Sequence, residues 1–284
     1  MAHDTPLALP TCLPAGQDSP PSHTPIGGTT PPPTSIDHAA RLALFRDDIQ
    51  QPFSPVRFAM DRAPVDVGHV DGAFGELPCC LDMLIHLPGG PITVPAPWNQ
   101  DEALARFLAQ AFAFEDTCLP TWRGTHHAYL TFDQRTVPAH RTHRNAGWHF
   151  DGMQGSRYPV KLPVCHQYLC ADALPTEFSA APTQAHGLDE TQDNWFVALG
   201  RQAVHDPALS ARPMGILAMT AYQLHRSPKA VEPTRRTFVR LDISLKQQDR
   251  AGNTPNPELT APWAFVARAL PPGLEAPIQD AGWA

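Results

Sequence analysis

Three side chains, remote from one another in the sequence, offer the chain's most specific chemistry. His149-Phe150-Asp151 supplies an imidazole and a carboxylate two residues apart, and His225 supplies a second imidazole. Two His and one carboxylate can take one face of an octahedral ion and leave three positions open. A ferrous ion held this way has room for a chelating co-substrate and for O2 beside it. His-x-Asp alone selects nothing, because the chain holds a second copy, His69-Val70-Asp71, and Gly follows both. The local pattern does not choose between the two copies, and stronger evidence lies after His225. A turn-rich stretch after His225 leads into Arg236-Thr237-Phe238-Val239-Arg240. With a side-chain period of two, Arg236, Phe238 and Arg240 share one face of a strand, and Arg235 points to the other. A guanidinium on that face suits bidentate capture of the far carboxylate of a diacid, with the second Arg nearer the metal.

Other polar residues invite a role and are weighed against ordinary structure. The Gly-containing segment after Asp151 carries Arg157 and Tyr158, which could meet a substrate carboxylate or ring at the mouth of the site. His166 and Tyr168 share a strand face with Val164 and Cys170 and read better as satisfied core groups than as cavity lining. His126, His127, His140 and His143 fit no HExxH or Cys/His zinc spacing and read as solvated loop. Tyr129 and Thr131 could face a co-substrate. No nucleophile elbow, P-loop or dinucleotide fingerprint is present.

These residues need a scaffold. Leu42, Phe45 and Ile49 predict a short helix that Pro52 ends. A longer helix is expected over 100–115, with Asn99 as N-cap, Glu102 in the first turn, and Leu104, Phe107, Leu108, Ala111 and Phe112 as one apolar stripe. From residue 126 the period becomes two. Ala128, Leu130 and Phe132 alternate with Tyr129, Thr131 and Asp133, as in a half-buried strand. Further strands are expected at 164–170, 214–222 and 236–244, and a helix at about 190–204. Strands after an N-terminal helix predict a mainly β protein with flanking helices, a jelly roll or cupin-like double-stranded β-helix.

Composition bounds the rest. The chain has 284 residues with a net charge of −7, and its 33 Pro are about twice ordinary usage. Residues 1–36 hold nine of those Pro and are expected to be a disordered tail, leaving 37–284 as a single domain. The acidic balance excludes attachment to nucleic acid by bulk positive charge. No apolar run of membrane-spanning length occurs, and the N-terminus lacks the basic and apolar regions of a secretory signal. Six Cys without a CxxC pair predict a reduced, cytoplasmic chain. Oligomeric state is not legible.

Gly147-Trp148-His149-Phe150-Asp151-Gly152, together with His225, Arg236 and Arg240, resembles the Fe(II)/2-oxoglutarate-dependent dioxygenase superfamily, in its taurine dioxygenase-like and phytanoyl-CoA dioxygenase-like branch. Thr176-Glu177-Phe178 stands where that branch carries a Thr-x-aromatic element, and the two Arg fall 11 and 15 residues after His225. The Gly-Gly before the Thr is absent, with Ala173-Leu174-Pro175 in its place, and the 76 residues from His149 to His225 are fewer than in taurine dioxygenase. The resemblance covers residues 147–244. It implies Fe(II) on His149, Asp151 and His225, and 2-oxoglutarate held by Arg236, Thr176 and Arg240. It also implies O2-dependent hydroxylation of a small molecule, such as an amino acid or secondary metabolite, with release of succinate and CO2. The carboxylate of Asp151 favours hydroxylation over halogenation. Two other readings fit the residues: a cupin-like metal enzyme that does not use 2-oxoglutarate, and a non-catalytic binding module with the Pro-rich tail as partner ligand.

Overall fold

The computed structural model of the chain describes residues 38–144, 147–151, 160–189 and 193–267. The predicted Pro-rich tail, Arg157 and Tyr158 lie outside the described residues.

Two helices and one large antiparallel sheet form the frame. Helix α1 spans His38–Asp48 and α2 spans Glu102–Cys118, followed by a single turn, α3, at Trp122–Thr125. The expected stripe of α2 is the observed one: Leu104, Phe107, Leu108, Ala111 and Phe112 are all buried. Its N-cap is Asp101 rather than Asn99. Trp98–Gln100 forms a 3-10 turn that delays the helix by two residues, and the Asp101 carboxylate accepts the Leu104 amide at 2.7 Å. Glu102 then pairs with Arg106 one turn on.

The strands are β1 (Val65–His69), β2 (Cys80–His86), β3 (His127–Val137), β4 (His166–Ala171), β6 (Gly215–Thr220) and β8 (Thr234–Ser244), with the two-residue β5 (Glu177–Phe178) and β7 (His225–Arg226). The first six form one sheet in the order β1-β6-β4-β8-β3-β2, every pair antiparallel. Strands β5 and β7 pair separately. The chain is therefore mainly antiparallel β with a few helices. Among the described residues the second sheet is this two-stranded pair, short of the matched sheets of a full double-stranded β-helix. The expected helix at 190–204 is a shorter α4, Trp195–Gly200, capped by Asn194.

Strand β3 departs from the half-buried expectation, since every residue from His127 to Asp133 is buried. It lies inside the sheet between β8 and β2. Its even-numbered residues join Leu241, Ile243, Val239 and Tyr168 in the apolar core against α2. Each large apolar side chain buried there contributes about 1.5–3 kcal/mol. The opposite face of the same sheet carries the polar site.

Candidate metal centre

His149 and His225 sit directly opposite each other. Their backbones exchange two N–H···O bonds of 2.9 Å, forming an isolated antiparallel bridge at the edge of the β5–β7 pair. That pairing brings residues 76 positions apart to ring centroids 4.5 Å apart. Both rings are oriented the same way. The Nδ1 of His149 meets the carbonyl of Gly147 at 3.0 Å, and the Nδ1 of His225 meets the carbonyl of Gln223 at 3.0 Å. A carbonyl oxygen only accepts, so each Nδ1 carries the hydrogen and each Nε2 keeps its lone pair. Asp151 completes the group: one ligand atom from each of His149, Asp151 and His225 lies within 4.8 Å of the others. Burial, with His149 beside it, pushes His225 down to about 4, so its imidazole is neutral at pH 7. The donor set and the fixed tautomers fit a divalent metal held by two imidazoles and a carboxylate.

The structure does not bring His69 and Asp71 to a third ligand among the described residues. The His69 carbonyl instead accepts from Gln110, and that of Asp71 from Arg106.

Arg240 lies beneath the group and differs from expectation. Rather than an open fork, it has three carboxylate partners: Asp82 at 2.6 Å, Asp151 at 2.9 Å and Asp242 at 2.9 Å. Its Nη1 and Nη2 donate to Asp151 and Asp82, while Nε lies near Asp242 without making a hydrogen bond, so the second co-substrate Arg of the sequence reading is largely committed to the protein. Burial opposes ionisation of Asp151, but Arg240, then His225, His149 and Arg144, hold its carboxyl well below the usual range. Thr131, opposite Arg240 on β3, donates to Asp82 and accepts the Asp82 amide, both at 3.0 Å. Thr131 therefore positions a partner of Arg240. Tyr129 pins the chain after β8, donating to the Lys246 carbonyl and accepting the Gln248 amide.

Arg236 is 1% exposed and has neutral partners. It donates through Nε to the Ala173 carbonyl at 3.0 Å and through Nη1 to the Nδ1 of His143 at 2.8 Å. That bond makes His143 an acceptor at Nδ1 and leaves its hydrogen on Nε2, which lies 3.2 Å from Asp133. Thr176 is buried just ahead of β5, in the same connection as Ala173. His143 is thus no solvated loop residue, and neither are His126 and His127, which are 6% and 9% exposed; His140 is exposed, as expected. His166 and Tyr168 are core groups, bonding the two oxygens of the buried Glu115 on the α2 side.

The sequence reading missed Asp82, Asp242, His143 and Arg144. Asp242 was within reach of the period-two rule, lying two residues beyond Arg240 on the same strand face. The others arrive from distant segments through pairing. A cation–aromatic contact also braces the bridge from outside: Arg226 lies 4.5 Å over the Trp148 ring and pairs with Glu177.

No family model matches the chain, and no curated protein matches it. Among solved structures it is similar to EvdMO1, at 10% identity over 72% of this chain with a TM-score of 0.38. The chain spans only half, 50%, of EvdMO1. It is also similar to AviO1 from Streptomyces viridochromogenes Tue57, at 12% identity over 79% of this chain and 100% of that one with a TM-score of 0.39. A third is the non-heme monooxygenase ThoJ in complex with Ni, at 16% identity over 61% of this chain and 66% of that one with a TM-score of 0.29. Likeness at this level defines neither family nor activity, and the reading below rests on the side chains.

Proposed function

We propose that the chain is an Fe(II)- and 2-oxoglutarate-dependent oxygenase on an abbreviated cupin-like barrel, hydroxylating a small molecule with release of succinate and CO2. The observation that carries this reading is the pair of imidazoles, each fixed by a carbonyl at Nδ1 and each presenting Nε2 beside Asp151. His149, Asp151 and His225 are the ligands. The bound iron would supply activation of O2 at its open positions. The chain's own groups do the rest. Arg240 orients Asp151 and keeps it ionised. Arg236, with Thr176 nearby in the Ala173–Phe178 connection, is assigned to the far carboxylate of 2-oxoglutarate. Arg157 and Tyr158 remain candidates for the substrate side. The five described cysteines are unpaired, in keeping with a reducing cytoplasm, and no helix of the described residues is long and apolar enough to cross a membrane.

The test loads the metal-free chain with Fe(II) under anaerobic conditions and screens amino acids and small organic acids for succinate release. The expected result is succinate release that needs iron, 2-oxoglutarate and one substrate class, and that His149→Ala abolishes. A His149→Ala chain retaining full metal stoichiometry and turnover overturns the assignment. A second reading, a cupin-like metal enzyme without 2-oxoglutarate, draws on the internal commitment of Arg236 to His143 and Ala173. Turnover unchanged when 2-oxoglutarate is omitted would favour it.

A further inference from the structure

Two guanidiniums, Arg236 buried and Arg144 partly so, meet on one aromatic ring with no carboxylate of the described residues in direct contact with either. Arg236 stacks over Phe238 with its central carbon 5.0 Å from the ring centroid, and Arg144 lies over the same ring at 5.6 Å. No carboxylate oxygen of the described residues lies within 4.0 Å of either, whereas Arg240, on the same strand face, has three partners. The Nη1 of Arg144 is buried and lacks any hydrogen-bond partner. Burial lowers the pKa of both groups, and Arg144 is among the charges that bring Arg236 to about 10. Desolvated like charges with no counter-ion in direct contact are costly, and an anion placed between them lowers that cost.

Their positions differ along the site. Arg236 is anchored at its far end, to His143 and to the Ala173 carbonyl. Arg144 lies over Phe238, which separates Arg236 from Arg240 on the strand face, and comes five residues before His149 in the chain.

We propose that Arg144 and Arg236 are the two anchors of one dicarboxylate, with Arg236 taking the far carboxylate and Arg144 the carboxylate nearer His149, Asp151 and His225. The identification of that diacid as 2-oxoglutarate rests on the reading above; the two-cation cradle rests on the side chains alone. Arg144 takes the place that the strand pattern offered to Arg240, whose Nη1 and Nη2 are already bonded to Asp151 and Asp82. It also makes the site selective: a ligand lacking either negative charge leaves one buried cation unbalanced.

The experiment is calorimetric titration of the full chain, first in chelator and then with Mn(II), using 2-oxoglutarate, succinate, acetate and the two monomethyl esters of 2-oxoglutarate. The diacids are expected to bind the metal-free chain, with acetate and each monoester weaker by about ten- to a hundredfold, the effect of losing one charge-assisted contact. R144Q and R236Q should each weaken 2-oxoglutarate by a similar factor, and R144K should stay within about threefold of the parent. Equal affinity for 2-oxoglutarate and the ester blocked at the keto-acid end overturns the role of Arg144 without needing any variant to fold. R144Q binding like the parent while R236Q fails has the same meaning and leaves Arg236 as the co-substrate anchor. A chain that takes up Co(II) at the triad, read by absorption, yet binds no diacid in either metal state overturns the cradle and 2-oxoglutarate use while the metal site stands.

Discussion

Strand β8 serves two different environments with alternate residues. Val239, Leu241 and Ile243 face α2 and join an apolar core that also holds Phe107, Leu130 and Phe132. Arg236, Phe238, Arg240 and Asp242 face the other way, among buried carboxylates and imidazoles. The first face is held by non-directional burial, so its stability depends on volume filled and tolerates change of shape. The charged residues of the second face are held by directed contacts, in which removing one partner leaves others charged and desolvated. The polar site shares its face of the sheet with a smaller apolar cluster of Leu169, Phe178, Leu217, Met219 and Phe238, while the larger core lies on the α2 side.

The sharpest way to break this comparison is at the metal ligands. His225→Ala should abolish metal binding and succinate release, a loss well beyond the ~10–100-fold that removing a supporting hydrogen bond costs at metal sites. Its denaturant midpoint should move little, because the α2 side is untouched. Metal stoichiometry near that of the parent chain in equilibrium dialysis would rule the assignment out. The complementary change, Phe107→Ala, should cost about 3–5 kcal/mol of stability through the cavity left in the core, while the folded fraction still binds metal. Unfolding in urea with metal analysis on the same samples separates the two effects. A Phe107→Ala chain of unchanged stability would mean that the helical face does not carry the fold.

Arg240→Met sits between these cases. It strands Asp82, Asp151 and Asp242 together, so stability should fall by about 3 kcal/mol and metal affinity by roughly tenfold, because Asp151 loses the group that orients it. Loss of stability with unchanged metal affinity would confine Arg240 to a structural role.

The same contrast explains what was legible in the sequence. The α2 stripe is a local periodicity that burial followed, and the alternation of β8 sorted its residues between two faces, both of them buried. His149, Asp151 and His225 were legible because a short motif and a following strand identify them. The surroundings were not. Asp82 reaches Arg240 through the irregular pairing of β2 with β3, at a positive φ of 47° that Asp tolerates better than most residues. Arg144 and His143 reach Phe238 and Arg236 by the path of a connection that no local pattern encodes. His126, His127 and His143 look solvated because their neighbours in sequence are polar, whereas their neighbours in space are a sheet and two helices. The shift of the α2 cap from Asn99 to Asp101 is a smaller error of the same kind, made by an inserted 3-10 turn.

The smallest expected effect tests one of those misread residues. His126 ends α3 on the helical side of the sheet, 6% exposed, with its Nδ1 2.8 Å from the Thr125 hydroxyl and its ring 5.5 Å from that of His166. Burial, then the nearby His166, lowers it from its ordinary 6.5 to about 4, against an opposing pull from Glu115. Between those values the unfolded chain binds a proton that the folded chain refuses, so stability falls as pH drops from about 6.5 to about 4 and is fully present above that window. The contribution reaches about 3 kcal/mol at most at the acid end, at about 1.36 kcal/mol per unit, and is absent at pH 7. His126→Gln keeps a polar partner for Thr125 but cannot take up the proton. Urea midpoints at pH 4.5, 5.5 and 7 should fall less steeply in the variant than in the parent chain. Parallel slopes would place the acid sensitivity elsewhere, first of all in the carboxylates around Arg240, and would move the pH response from the packed face of the sheet to the polar one.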